Sequence, residues 1–216
     1  MASEAGVFDR DGVLTSFDLA EAAAYFAPLV PLSVRELGQA WVAWGRARGF
    51  PRSLAAEQSF WRGFWESIGE RLALPPATRE RLHAFSYTSV VRAFPDARPA
   101  LELVRASGRK TGVLSNFSLA SLEPSLAAAG LLDLVDAICA AHVLGAAKPA
   151  AEAYHAIARA LGCPPAACVM LDDEPACVEG ARAAGMRAYL VDRSRADHDL
   201  ERGVVADCSA LAELLG

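Results

Sequence analysis

Asp9 and Asp11 stand two positions apart where a short apolar run, Ala5-Gly6-Val7-Phe8, gives out. If Val7 and Phe8 end a strand, the period-two alternation sends both carboxylates off the sheet on the same side. Gly12 then permits a sharp turn, because it carries no Cβ. Carboxylates held that close repel, and one must take a proton unless a cation sits between them. Mg²⁺ suits such a place, since it binds a few oxygens and leaves its other positions to water and substrate phosphate. Asp and Gly are also ordinary turn residues, so this segment alone reads equally well as a surface turn.

Three later segments repeat the arrangement of polar residues closing apolar stretches. They are Val113-Leu114-Ser115-Asn116, Gly145-Ala146-Ala147-Lys148-Pro149 and Val169-Met170-Leu171-Asp172-Asp173. Lys148 is unusual in its own chain: of 21 basic residues only two, Lys110 and Lys148, are lysines. Where Arg supplies the general surface charge, a compact ammonium in a Gly/Ala-rich loop suits close approach to a phosphate or a nucleophilic carboxylate.

The four segments, in this order and spread over nearly the whole chain, resemble the four motifs of the haloacid dehalogenase-like (HAD) hydrolase superfamily, in its phosphatase/phosphoglucomutase-like branch. Glu179 to Met186 resembles the helix that follows the fourth motif. The resemblance implies that Asp9 is a nucleophile forming an aspartyl-phosphate. Asp11 then protonates the leaving oxygen and later deprotonates the attacking water. It further implies Mg²⁺ held by the Asp9 side chain, the Asp11 backbone carbonyl and Asp173, with Asp172 either a direct ligand or a support to one. Ser115 and Lys148 would meet the phosphoryl oxygens, and the backbone N–H groups of Arg10, Asp11 and Asn116 would add donors. The Arg10 side chain is expected to point away from the site. Cys177 departs from the pattern, standing where many relatives carry a further acid, so the metal site leans on Asp172 and Asp173.

Within that family Asp11 disfavours carbon–halogen cleavage, which has no leaving oxygen to protonate. Residues 17–89 hold no lysine, which disfavours phosphonate cleavage through a Schiff base. The expected activity is a Mg²⁺-dependent phosphatase acting on a small phosphorylated metabolite. The alternatives are a sugar phosphomutase of the same fold and a catalytically inactive binding or regulatory member.

The elements that must position these residues are legible in the hydrophobic pattern. From residue 94 onward strands alternate with helices, implying right-handed βαβ crossovers and a parallel sheet covered on both faces. Residues 17–89 instead show three- and four-residue spacing over Phe17–Phe26, Val34–Arg48, Leu54–Leu72 and Ala77–Phe85, broken by prolines and glycine. The expected fold is α/β, a doubly wound (Rossmann-like), mostly parallel sheet with an inserted all-α helical cap. The core is expected at 1–16 and 90–216, the cap at 17–89. Ligands on such sheets bind at the carboxyl ends of strands, where Asp9, Ser115 and Asp173 all fall. Trp61, Phe64, Trp65 and Ile68 recur on one helix face, which reads first as bundle core and second as a substrate wall. Arg46, Arg48, Arg52 and Arg62 read as solvated helix charge before they read as contacts to an anionic substrate group.

Composition bounds the rest. The chain has 216 residues, 53% of them hydrophobic and 22% charged, which is ordinary for a protein with a real core. A net charge of −5 with no long basic stretch argues against a nucleic-acid partner. No run of about 18 apolar residues argues for a membrane span, and the amino terminus lacks the pattern of a signal peptide. Five cysteines without a C-x-x-C pair read as buried or free thiols of a reducing compartment, and a cytoplasmic location is expected. The four histidines show no metal-ligand spacing.

Overall fold

The computed structural model describes residues 4–215. Strands β1 (Ala5–Phe8) and β2 (Thr15–Phe17) lead into helices α1 (Leu19–Phe26), α2 (Val34–Arg48), α3 (Leu54–Arg71) and α4 (Pro76–His83). β3 (Val91–Ala93), α5 (Ala97–Ala106), β4 (Lys110–Ser115), α6 (Leu122–Ala128) and β5 (Ala137–Ala140) follow. The chain then forms α7 (Ala141–Leu144), α8 (Ala151–Leu161), β6 (Cys168–Asp172), α9 (Pro175–Ala183), β7 (Arg187–Val191), β8 (Val204–Val205) and α10 (Leu211–Leu214).

Alternation along the central strands builds two cores at once. Phe8, Val113, Val169 and Leu171 face one side and meet Ala97, Leu101 and Val104 of α5 with Leu211 of α10. Ala5, Val7, Leu114 and Met170 face the other and meet Tyr154, Ile157 and Leu161 of α8 with Val178 of α9. A parallel strand buried on both faces reads as a continuous apolar run, and β1, with every residue buried, does so. The six strands lie in the order β5-β4-β1-β6-β7-β8, and every paired ladder is parallel. β1 therefore sits between β4 and β6, at the place where the chain reverses its direction of winding. The crevice at its carboxyl end is where such sheets hold ligands.

The doubly wound sheet matches the sequence expectation. Its smaller parts do not all match. Residue 17 was expected to begin a helix, yet Thr15–Phe17 pairs antiparallel with Val91–Ala93 as a two-stranded ribbon. The ribbon carries the chain out to α1–α4 and back. Asp18 then starts α1, its side chain accepting from the Glu21 N–H at 2.9 Å. Two-residue β8 extends the sheet by an edge that no sequence window shows. Helices α1–α4 form a third core around Phe26, Leu37, Phe64, Trp65, Ile68 and Leu82. Ser33 opens α2 with a capping box to Glu36, and Ser53 caps α3.

Candidate active site

β1 ends at Phe8, but the ladder reaches one residue further: Asp9 N–H donates to the Leu171 carbonyl at 2.9 Å. This sets Asp9 level with Asp172 on the neighbouring strand. The chain then folds back on itself. The Arg10 carbonyl accepts from Leu14 N–H at 2.9 Å and Thr15 N–H at 2.7 Å, and Gly12 N–H donates to the Thr15 carbonyl at 2.8 Å. Gly12 holds φ +76, and a Cβ placed there would lie 2.0 Å from Oδ2 of Asp173. Glycine is thus required twice, by the turn and by the carboxylate packed against it.

Asp172 ends β6 wholly buried. Its Oδ1 accepts from the Glu174 N–H at 3.0 Å and its Oδ2 from Lys148 Nζ at 2.7 Å. Lys148, 4% exposed, also lies 3.0 Å from Oδ1 of Asp9. The loop bearing Lys148 is tied to the loop after β4 by Asn116. Asn116 Nδ2 donates to the Lys148 carbonyl at 2.9 Å, and its Oδ1 accepts from Lys148 N–H at 2.8 Å. Ser115 is buried at the end of β4, its Oγ accepting from Phe117 N–H at 3.3 Å. Ligand atoms of Asp9, Asp172 and Asp173 lie within 4.8 Å of one another. The structure therefore gathers Asp9, Lys148, Asp172 and Asp173 into one cluster, with Ser115 and Asn116 on the adjoining strand end. The Asp11 carboxylate stands outside the acidic triad.

Electrostatics follow from this crowding. Burial pushes the Asp9 carboxyl up to about 6; Asp172 adds to the rise and Lys148 opposes it. Asp173 is raised as well, by burial and by Asp172. Burial works to lower Lys148, but the carboxylates of Asp9 and Asp172 outweigh it and hold the ammonium above the ordinary lysine value. Asp9, Asp172 and Asp173 offer converging carboxylate oxygens, a donor set that fits a hard divalent cation. Cys177 does not extend it. Burial and Asp172 push its thiol up to about 12, and its Sγ donates to Glu174 at 3.2 Å.

Comparison with known proteins decides the family. A model of the haloacid dehalogenase-like hydrolase family matches residues 4–185. The chain belongs to the haloacid dehalogenase-like hydrolases. It is 43% identical, over all of its length and 98% of the relative's, to Phosphatase MT3486 of Mycobacterium tuberculosis (strain CDC 1551 / Oshkosh). It is 35% identical to Hexitol phosphatase B of Escherichia coli (strain K12) over 56% of this chain and 54% of that protein. Among solved structures, 2-haloacid dehalogenase from Pseudomonas syringae pv. Tomato DC3000 superposes with a TM-score of 0.68 at 23% identity, over 99% of this chain and 98% of that one. The HAD phosphatase from Thermococcus onnurineus does so with 0.64 at 22%, over 99% and 98%. At such identities these two speak for the fold alone.

Two expectations about the first HAD motif need correction. The Arg10 side chain does not point away: it is 3% exposed and turns back onto the motif. Its Nε donates to Asp11 Oδ1 at 3.1 Å, one terminal nitrogen to Asp11 Oδ2 at 2.5 Å and the other to Ser125 Oγ at 2.9 Å. Its guanidinium also stacks 3.8 Å from the centre of the Phe117 ring. A planar fork paired through all three of its nitrogens is stable in a buried position where a bare charge is not. The Arg10 backbone N–H, expected to face a phosphate, instead donates to Asp9 Oδ1 at 2.7 Å.

Sequence reasoning also missed a support on the far side of the turn. Arg193 donates to the Gly12 carbonyl at 2.9 Å and the Val13 carbonyl at 2.5 Å, while Asp96 accepts from it at 2.9 and 3.0 Å. Residues 181 positions apart leave no local signal of such a clamp.

Proposed function

We propose that the protein is a Mg²⁺-dependent phosphatase that hydrolyses a phosphate monoester of a small metabolite through an aspartyl-phosphate on Asp9. One observation carries this reading. The Asp9 carboxylate, at the carboxyl end of the central strand, lies 3.0 Å from the Lys148 ammonium and within 4.8 Å of ligand atoms of Asp172 and Asp173. Asp9, Asp173 and the Asp11 backbone carbonyl would hold Mg²⁺, with Asp172 beside them and bonded to Lys148. The ion, when bound, supplies positive charge against the phosphoryl oxygens and between the carboxylates.

The chain's own groups then divide the work. An Asp9 oxygen attacks phosphorus, and the bond to the leaving oxygen breaks. Lys148, the Ser115 hydroxyl and the Asp11 and Asn116 N–H groups orient the phosphoryl oxygens and offset their charge. Asp11 gives a proton to the leaving oxygen and takes one back from the water that opens the acyl phosphate. Both Asp11 oxygens accept from Arg10, which keeps its hold on one of them while the other turns to the leaving oxygen. Helices α1–α4, within residues 17–89, act as a cap over the core formed by 1–16 and 90–216, shielding the site from water. The five free cysteines accord with a cytoplasmic setting.

A full-length relative named a phosphatase supports this reading, as does Asp11, which carbon–halogen cleavage would leave idle. The test is phosphate release from p-nitrophenyl phosphate and a panel of phosphometabolites, with Mg²⁺ or with EDTA. Release should require Mg²⁺ and vanish in Asp9→Asn. Release that survives either treatment overturns the proposal.

A further inference from the structure

Between α1–α3 and the first-motif turn lies a cavity of about 390 Å³. Its wall includes Asp11 and Arg10 on the core side and Trp41, Trp61, Trp65 and Phe117 among many apolar groups. The Asp11 carboxylate is where the leaving oxygen would take its proton, so the substrate's alcohol portion would enter this space. Phe17 and Leu19 also line it while 40% and 63% exposed, giving an apolar approach.

Apart from the Ser16 hydroxyl, the wall's side-chain polar atoms are either paired already or buried behind carbon. The indole N–H of Trp61 points to Glu57 at 3.4 Å. Those of Trp41 and Trp65 are themselves buried and unpartnered, so these rings present carbon to the cavity. The Tyr87 hydroxyl donates to the Ser121 carbonyl at 2.9 Å. Arg10 is taken by Asp11, Ser125 and the face of Phe117. The exposed cap residues Arg46, Arg48 and Arg52 do not line this space, and Arg48 stacks 3.4 Å from the Trp44 ring. A sugar or polyol buried here would lose water from each hydroxyl and find almost nothing to replace it, which selects strongly against it. A hydrocarbon or aromatic portion would gain on leaving water and on meeting ring faces.

We propose that the substrate is the phosphate monoester of a hydrophobic, ring-sized alcohol, rather than of a sugar or polyol; this rests on the phosphatase reading above. The stripe of Trp61 and its helical neighbours is then both bundle core and substrate wall. Trp65 and Phe64 anchor the bundle while Trp61 and Trp41 meet the guest.

The test compares kcat/KM, with Mg²⁺, for naphthylethyl phosphate, glycerol phosphate and a hexitol phosphate. All three are esters of primary alcohols whose leaving oxygen would take its proton from Asp11, so differences report chiefly binding rather than leaving-group reactivity. Naphthylethyl phosphate should be favoured about tenfold or more over either polyol ester. Gly38→Leu provides the second arm. Gly38 lies at the exposed rim of the cavity on α2, a Cβ added there meets nothing within 4 Å, and leucine is the better helix former. The variant should fold normally and lose efficiency about fivefold or more on naphthylethyl phosphate, and lose clearly less on glycerol phosphate, which fills less of the space. Polyol phosphates turned over as well as the naphthyl ester, or a Gly38→Leu loss equal on all substrates, overturns the proposal. Calorimetric titration with naphthylethanol separates the two readings. Binding that is lost in Gly38→Leu, with no phosphate released from any ester, upholds the apolar site and overturns the phosphatase. Release without binding or preference does the reverse.

Discussion

Asp9→Asn should stabilise the metal-free protein even as it abolishes turnover. The Asp9 carboxyl titrates near 6 in the folded chain, against an ordinary value of 3.8, because burial and the Asp172 charge disfavour its ionised form. An acid whose folded pKa is raised holds its proton more tightly when folded. The stability this gives is fully present below about pH 4 and is lost as the pH rises through about 6. At about 1.4 kcal/mol per pH unit, ionised Asp9 costs the metal-free protein about 3 kcal/mol at pH 7.5. The attraction of Lys148 is already contained in that value. Asparagine keeps the shape without the charge, so most of the cost disappears, leaving Lys148 paired with Asp172 at 2.7 Å. For a chain of this length the gain corresponds to a rise in Tm of roughly 5–10 °C. Thermal unfolding in EDTA at pH 4.5 and pH 7.5 measures it. The advantage of the variant should be about a third as large at the lower pH as at the higher. Added Mg²⁺ should then raise the wild type and leave the variant nearly unmoved. A variant no more stable than wild type at pH 7.5, or an advantage independent of pH, refutes the reasoning.

Other perturbations test the supports around the cluster. Gly12→Ala forces a Cβ to within 2.0 Å of Asp173 at a backbone angle of φ +76. It should shift the Mg²⁺ dependence of activity by about tenfold or more, as displaced metal surroundings do, which a Mg²⁺ titration of the rate reads. Asp96→Asn weakens the clamp on the turn. Burial tends to raise Asp96, but the donors Arg193 and Cys208 N–H outweigh it and hold the carboxyl below its ordinary value. Its contribution is therefore present above about pH 4 and is lost as the pH falls through the lower folded value. The variant should lose about 2 kcal/mol at pH 7, measured by urea unfolding, and show a flatter acid limb. Glu57→Ala removes the acceptor for Ser121 N–H, 2.9 Å away, and for the Ser121 hydroxyl. It unties α3 from the segment before α6, and should cost about 2 kcal/mol and raise KM more than it lowers kcat.

The parts legible in the sequence are those set by local pattern. Apolar runs marked five of the six strands, and the polar residues closing β1, β4 and β6 fell at carboxyl ends because a parallel sheet puts those ends on one rim. Asp9, Ser115 and Asp173 could be read as companions on that ground alone; Lys148 stood out only as one of two lysines, and its place beside them, like the part of Asp172, needed the family resemblance. What stayed hidden depends on contacts between distant segments. Thr15–Phe17 is too short for an alternating window, and only its partner Val91–Ala93 makes it a strand. The inward turn of Arg10 depends on Ser125 and Phe117, more than a hundred residues away. Helical spacing identified the face carrying Trp61 and Trp65 but not what lay opposite, since periodicity reports that a face is covered and not by what.

Arg10 makes that hidden contact consequential. Its guanidinium holds both oxygens of Asp11, rests on Phe117 and helps line the apolar cavity. The group proposed to protonate the leaving oxygen is therefore held by the same side chain that an incoming alcohol would press against. A guest that fills the space above Phe117 takes water away from the guanidinium. In drier surroundings every charge-assisted contact there strengthens, so the Arg10–Asp11 pair is sensitive to what occupies the cavity. Arg10→Met keeps the apolar stem over Phe117 and deletes the fork. It should leave the preference among alcohols largely intact while lowering kcat about tenfold or more, the usual scale for a misplaced acid or base. An unchanged kcat across the panel would show that the fork serves packing alone. A lowered kcat with an unchanged preference would separate the placing of Asp11 from the recognition of the alcohol.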